Sequence, residues 1–318
     1  MSEPSYRRRF GDRKEGRRLR TVPALNQFEP YIMIERNDAC NQFSGAVEIS
    51  ETDRWLRAKR QEGYKGLGML HLFIAAYIRV VSQLPGLNRF VSGQRIYARN
   101  EILINMMVKR GITTESEETC AKVVFEPTDT IYDVRDRMEK VINANRGEDK
   151  KNFADKLAKA VLVVPGLATG IVALVRLLDR YGLCPGALLD ELPFHTSMYI
   201  TNNASIGLHH VNHHIYNFGS VTLFFGMGTV EKVAVVEKGE ARMKRFLPIG
   251  ITADERVCSG AHYAAFFGTM SYLLNHPEEL EKPPESVRFD EKCEYHVPKV
   301  GEQPAKKQKK QQKATVQA

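Results

Sequence analysis

Hydrophobic positions along this chain switch repeatedly between alternation and helical spacing. Residues 42–50 alternate around Phe43, Ala46 and Glu48, which predicts a strand. Thr52 follows and can cap a helix through Trp55 and Arg60, because its hydroxyl accepts a free backbone N–H. Residues 67–84 are apolar almost all round, the mark of a buried helix, and Pro85 ends it for want of an N–H. Two strand-like runs follow at 95–99 and 102–108, with only Asn100 and Glu101 between them, so a hairpin is expected. Residues 122–125 read as a further strand. Ile131, Val134, Met138 and Val141 set a helical stripe over 129–144. Strands are expected at 196–201, 220–227, 230–236 and 243–252, and a last helix at 260–274. Many strands in hairpin order, with helices early and late, predict an α+β sandwich rather than a doubly wound sheet.

The most apolar stretch is 160–175, AVLVVPGLATGIVALV, sixteen residues without a charge. Pro165 and Gly166 interrupt it, and crossing a bilayer takes roughly 20 apolar residues. A buried or partly buried helix is expected here, with a membrane-surface or re-entrant segment as the alternative. No internal repeat is present.

Composition narrows the classes. The 43% hydrophobic content suffices for a sizeable core, which excludes global disorder. Five widely spaced Cys without a CxxC exclude a disulfide scaffold and a zinc ribbon. The basic N-terminal stretch runs into TVPALNQFEP rather than a signal-type apolar run, so a cytoplasmic location is expected. The formal charge of +8 is unevenly placed. Residues 1–20 hold eight Lys/Arg against three acidic residues, and 301–318 hold five Lys against one Glu. Residues 21–300 carry 33 basic and 34 acidic side chains, a net −1. The chain therefore divides into a basic N-terminal extension (1–25), a folded domain (26–290) and a Lys/Gln-rich tail (291–318) expected to be disordered. The basic ends suit weak contact with nucleic acid or an anionic surface, which salt would weaken.

One segment, ITADERVCSGAHYAAFF (251–267), follows a strand and enters a helix. It resembles the signature of the chloramphenicol acetyltransferase-like fold family, which includes the catalytic domain of the 2-oxoacid dehydrogenase dihydrolipoamide acyltransferases. Their pattern is Asp-His-Arg-x-x-Asp-Gly or His-His-x-x-x-Asp-Gly; here it reads Asp254-Glu255-Arg256-Val257-Cys258-Ser259-Gly260, with His262 two residues on. Three further blocks are similar to the family in order and spacing: PGLNRFVSGQRIYARNEILINMMVKR (85–110), SMYITNNASIG (197–207) and NFGSVTLFFGMG (217–228). The resemblance covers most of residues 26–280. It implies a two-layer sandwich with a mixed sheet and helices on one face.

The resemblance also implies roles. The motif His is a general base, and the neighbouring-strand hydroxyl, here Thr201, holds the oxyanion. The motif Asp makes an ion pair that fixes the loop. Acyl-CoA and acceptor meet in a tunnel between subunits of a trimer. In this chain Glu255 stands at the base position and Ser259 at the Asp position, while Asp254, Arg256 and Gly260 keep the pattern. A carboxylate has an ordinary pKa near 4.3, and burial can raise it into a useful range by up to about 3–5 units. Glu255 is therefore either an altered base or a structural carboxylate.

His209, His210, His213 and His214 crowd into six residues. On a helix they would form two i,i+4 pairs, but no HExxH glutamate accompanies them, and no metal site is assigned. The resemblance places them in a loop or strand entry, where they read as a polar loop or subunit contact; the alternative is that His213 or His214 supplies the missing imidazole. Cys258 reads as a buried inert thiol, and Gly226–Gly228 is a lone Gly-x-Gly without the third glycine of a dinucleotide site. The family's catalytic domains normally follow a lipoyl domain, whereas only residues 1–25 precede the matching region here, with no lipoyl-lysine module. The expectation is a homotrimer using a coenzyme A thioester as substrate, with a small-molecule or carrier-bound acceptor. The alternative is an inactive trimeric binding or scaffold protein of the same fold.

Overall fold

The computed structural model describes residues 9–109, 118–145 and 162–290. The Lys/Gln-rich tail and residues 160–161 of the apolar run lie outside them. Strands β1 to β10 are Gly16–Arg18, Cys40–Glu48, Arg89–Ser92, Arg95–Arg99, Ile102–Lys109, Glu118–Phe125, Met198–Asn202, Leu223–Met227, Glu231–Glu237 and Glu240–Asp254. Helices α1 to α7 are Ala24–Ile32, Ser50–Gln61, Met69–Gln83, Ile131–Asn145, Leu167–Arg180, Gly186–Glu191 and Gly260–Asn275.

The large sheet runs β6-β5-β7-β8-β10-β2, with β9 pairing the far half of β10. β5, β7 and β8 are mutually parallel and the other pairs are antiparallel, so the sheet is mixed. Its inward positions, such as Ile104, Ile200, Phe225 and Ile251, meet α2, α3, α4 and α7 in one continuous core. Helix α3 buries ten of its fifteen residues, because its apolar positions go nearly all round and neighbours enclose it. The opposite sheet face carries Tyr199 and Phe224, covered by Ile215 and Val221 of the long β7–β8 connection. This is the predicted α+β arrangement, a mixed sheet with helices on one face.

Four expectations change. The first concerns β4 and β5, which do not form a hairpin. β4 pairs with β3 and β1 in a separate three-stranded sheet, while β5 joins the large one. The true hairpin is β3–β4, turning at Gly93 and Gln94, both with φ of 55°. Positive φ at both central residues is what a type I′ turn demands. Arg99 holds β4 in the small sheet: it is buried over the Phe90 ring and donates to the Ser220 carbonyl at 2.6 Å. Second, Thr52 does not cap α2. It lies inside the first turn, fully buried, and its hydroxyl donates to the Leu274 carbonyl of α7.

Third, the basic N-terminal stretch does not stand clear of the domain from residue 9 onward. β1 pairs with β4, and Leu19 enters the core. Arg13 is buried, donating to the Asp179 carbonyl and carboxylate at the end of α5 and to Glu15. His195 Nε2 stands 3.2 Å from Asp179 Oδ2, an ion-pair contact rather than an aligned hydrogen bond. Fourth, α5 is not buried. Leu167, Ile171, Val172, Leu174 and Leu177 face solvent, and only Asp179 is enclosed.

Burial works against the Asp179 carboxylate, but His195 and Arg13 beside it bring its pKa below the ordinary value. Stability from this group is thus present above the unfolded pKa of about 3.9 and is lost as pH falls through the lower folded value. Asp179→Asn should cost about 1–3 kcal/mol at neutral pH, since Arg13 loses its charge-assisted bond and keeps only Glu15 as charge partner. Denaturant unfolding of both proteins from pH 7 to pH 3 should show the gap narrowing only below about pH 4.

Candidate active site

The loop after β10 is held by a buried ion-pair network. The Asp254 carboxylate accepts from Arg256 at both oxygens (Nε 2.8 Å, Nη2 2.7 Å) and from Arg36 Nε at 3.2 Å. Arg256 donates onward to the Met33 carbonyl at 2.9 Å, and Arg36 to those of Tyr216 (2.8 Å) and Val91 (3.0 Å). Tyr263 of α7 donates to the Asp254 carbonyl at 2.8 Å. Four separate segments are thereby locked to one carboxylate. Ser259 takes no part; its hydroxyl pairs with His262 Nδ1 at 2.9 Å, immediately before Gly260 opens α7. The loop's ion pair, which the motif assigns to the position of Ser259 five residues on, is made here by Asp254.

Glu255 is half-buried, its backbone N–H on the Ala39 carbonyl at 2.9 Å. Its carboxylate accepts from Asn41 Nδ2 at 2.6 Å. It borders a cleft of about 570 Å³ between α1 and α7, with Asn26, Glu29, Asn41, Cys258 and Phe267. Burial pushes the Cys258 thiol up to about 11, so the thiolate is scarce at neutral pH and Cys258 is no nucleophile.

Thr201 and Glu255 do not meet within one chain. The β7–β8–β10 register sets Thr201 level with Gly250, five residues before Glu255. At about 3.3 Å per residue, that is roughly 16 Å along β10.

Thr201 meets an imidazole instead. Its Oγ1 lies 3.0 Å from His213 Nε2 and 3.3 Å from the Phe225 carbonyl. The position follows from strand alternation. Thr201, Phe224, Gly226, Gly250 and Thr252 share the sheet face away from the helices, and the β7–β8 connection crosses that face. It crosses very close: a Cβ on Gly226 would sit 2.4 Å from the Val211 carbonyl oxygen, and one on Gly250 2.4 Å from Asn212 Oδ1. Glycine at these two points lets the connection lie flat. His213 then stacks on Phe224 with ring centroids 4.3 Å apart, and its carbonyl accepts from Thr252. Partial burial, with neighbouring His214, lowers the His213 pKa below its usual value. The ring is therefore neutral at pH 7, the form that accepts a proton.

The rest of the His cluster does not converge. Residues 208–216 are irregular rather than helical. His209 pairs with Glu231 at 2.8 Å, and His214 stands edge-on to Tyr216. Among the described residues, Glu15, Asp179 and His195 are the one group close enough to hold a metal ion, and there the Arg13 guanidinium supplies the positive charge.

A family description, the catalytic domain of the 2-oxoacid dehydrogenases acyltransferase, matches residues 194–281. That span contains β7, β8, β10, Thr201, His213 and the Asp254 loop. The chain has the chloramphenicol acetyltransferase-like fold. It is similar to a probable dihydrolipoamide acetyltransferase from Listeria monocytogenes 4b F2365, with 13% identity, a TM-score of 0.52, and coverage of 83% of this chain and 93% of that one. It is also similar to the cubic core of a pyruvate dehydrogenase multienzyme complex, with 16% identity, a TM-score of 0.53, and coverage of 81% and 88%. No curated protein matches it in sequence. The four sequence blocks identified this fold. The Thr201–His213 contact was not legible in them, because it depends on how the connection crosses the sheet.

Two outcomes follow. Asp254→Asn leaves Arg36 and Arg256 buried without a counter-charge and should destabilise by about 3–5 kcal/mol, read by denaturant unfolding. Gly250→Ala should displace the connection and free the His213 ring. In an NMR titration, His213 should titrate below 6.5 in the parent and closer to 6.5 in the variant.

Proposed function

We propose that this chain is an acyltransferase whose reacting centre is the Thr201–His213 pair. The transfer runs from a coenzyme A thioester to a thiol or hydroxyl on a small or carrier-bound acceptor. The observation that carries this reading is the His213 imidazole, 3.0 Å from the Thr201 hydroxyl, with a pKa lowered into the range of a neutral base. It is supported by the fold and by the match over residues 194–281.

In this mechanism His213 takes the proton from the acceptor as its sulfur or oxygen attacks the thioester carbonyl. The new bond pushes the carbonyl electrons onto oxygen. Thr201 turns its hydroxyl from the Phe225 carbonyl toward that oxyanion and donates to it. The intermediate collapses, the carbon–sulfur bond to coenzyme A breaks, and the His213 imidazolium returns the proton to the leaving thiolate. Glu255, at the motif position usually held by His, acts by fixing Asn41 and the cleft wall. We further infer a cytoplasmic homotrimer, whose neighbouring subunit would bring a second face toward the cleft.

The second reading is an inactive trimeric binding or scaffold protein of this fold. The bond from Asn41, which occupies the Glu255 carboxylate, favours it.

Coenzyme A formed from acetyl-CoA, separated by chromatography, with dihydrolipoamide as acceptor, distinguishes the two. His213→Ala should lower turnover about 10²–10⁴-fold, while Glu255→Gln stays within a few-fold of the parent. The parent rate should fall on the acid side as His213 protonates, at a pH below the ordinary imidazole value of about 6.5. Loss with Glu255→Gln but not His213→Ala would return the base to Glu255. No coenzyme A formed by the parent, with this or other acceptors, would favour the scaffold.

A further inference from the structure

Surface helices of folded domains turn their apolar stripe to the core. Helix α5 does the reverse. Leu167, Ile171, Leu174 and Leu178 line one side, and Thr169, Arg176 and Arg180 lie on the other. Leu167, Ile171 and Leu174 are exposed, and Leu178 is half-exposed. The apolar surface does not stop with the helix. It continues back through Val163, 78% exposed, and forward to Tyr181, 69% exposed, and Leu183.

Cations border this surface: Arg176 and Arg180 lie on the other side of α5. The basic stretch 9–20 is fixed against the end of α5, through Arg13 on Asp179.

We propose that α5 is a docking helix for an anionic lipid surface, lying in the plane of the headgroups with its apolar side immersed. A wide apolar face backed by arginines is the pattern of an interfacial helix. At 14 residues, or about 21 Å, α5 is too short to cross a hydrocarbon core of about 30 Å, and no helix among the described residues is long and apolar enough to do so. A second copy of the chain is the poorer occupant. A two-fold contact through α5 would set Arg176, Arg180 and the basic stretch against their own duplicates. Anionic headgroups complement all of them. The proposal is independent of the acyl-transfer reading.

The test is flotation of the full chain with vesicles of phosphatidylcholine alone or mixed with phosphatidylglycerol. The parent should float with the mixed vesicles, poorly with phosphatidylcholine, and several-fold less as salt is raised. The double variant Ile171→Asp, Leu174→Asp changes two exposed positions. It should lose at least tenfold in binding, with circular dichroism and melting temperature unchanged. Leu174→Trp, on the apolar side, gives a second readout: its emission should shift to the blue with mixed vesicles only. Three results would overturn the proposal. One is a parent that stays with the lipid-free fraction. Another is a double variant that is folded and binds as the parent does, which would leave the basic ends as the sole attachment. The third is a fall in oligomeric mass of the double variant without lipid, which would make α5 a contact between copies.

Discussion

The buried Asp254 carboxylate sits between Arg36 and Arg256, and each arginine spends its remaining N–H groups on backbone carbonyls of other segments. Two cations enclosing one anion leave a net positive charge in a place without water, which is costly unless every N–H is satisfied. The carbonyls of Met33, Tyr216 and Val91 perform that service. The connection from α1 to β2, the approach to β8, strand β3 and the end of β10 therefore share one electrostatic knot. The cleft beside Glu255 and the path of the β7–β8 connection both take their position from it. Such a knot is a weak source of net stability and a strong source of geometric specification.

The blocks around residues 85–110, 197–207, 217–228 and 251–267, by their order and spacing, were enough to reach the fold at 13–16% identity. The expectations that failed share a physical cause: they concerned which surface an element packs on. Two strand patterns separated by Asn100-Glu101 look like a hairpin locally, yet Arg99 settles β4 elsewhere through Phe90 and Ser220. Likewise, apolar character in 160–175 reports a tendency to leave water and says nothing of where the helix goes. Thr201 and His213 could each be singled out as chemistry-bearing residues. Their pairing depends on Gly226 and Gly250, which look unremarkable until the connection is seen to lie on them.

Charge was only half legible for a similar reason. The basic N-terminal stretch reads as a solvated extension, since Lys and Arg are seldom buried unpaired. Arg13 belongs to a buried network with Glu15, Asp179 and His195, and Arg36, Arg99 and Arg256 are likewise enclosed. Part of the apparent surface basicity is internal wiring, balanced by carboxylates and carbonyls that are distant in sequence.

The pairing of β2 with β10 joins residues roughly 200 positions apart, and β5 finds β7 across more than 90. Non-local pairings of this kind must meet their loop-closure entropy before any contact offsets it, so they form slowly. His213 can reach Thr201 only on a face that β8 and β10 complete. During synthesis, β2 must therefore wait unpaired, and β5 with only β6 beside it, while the later strands emerge. The Thr201–His213 contact becomes a marker of the last stage of folding, and the exposed edges that precede it are the interval in which a chaperone would matter most.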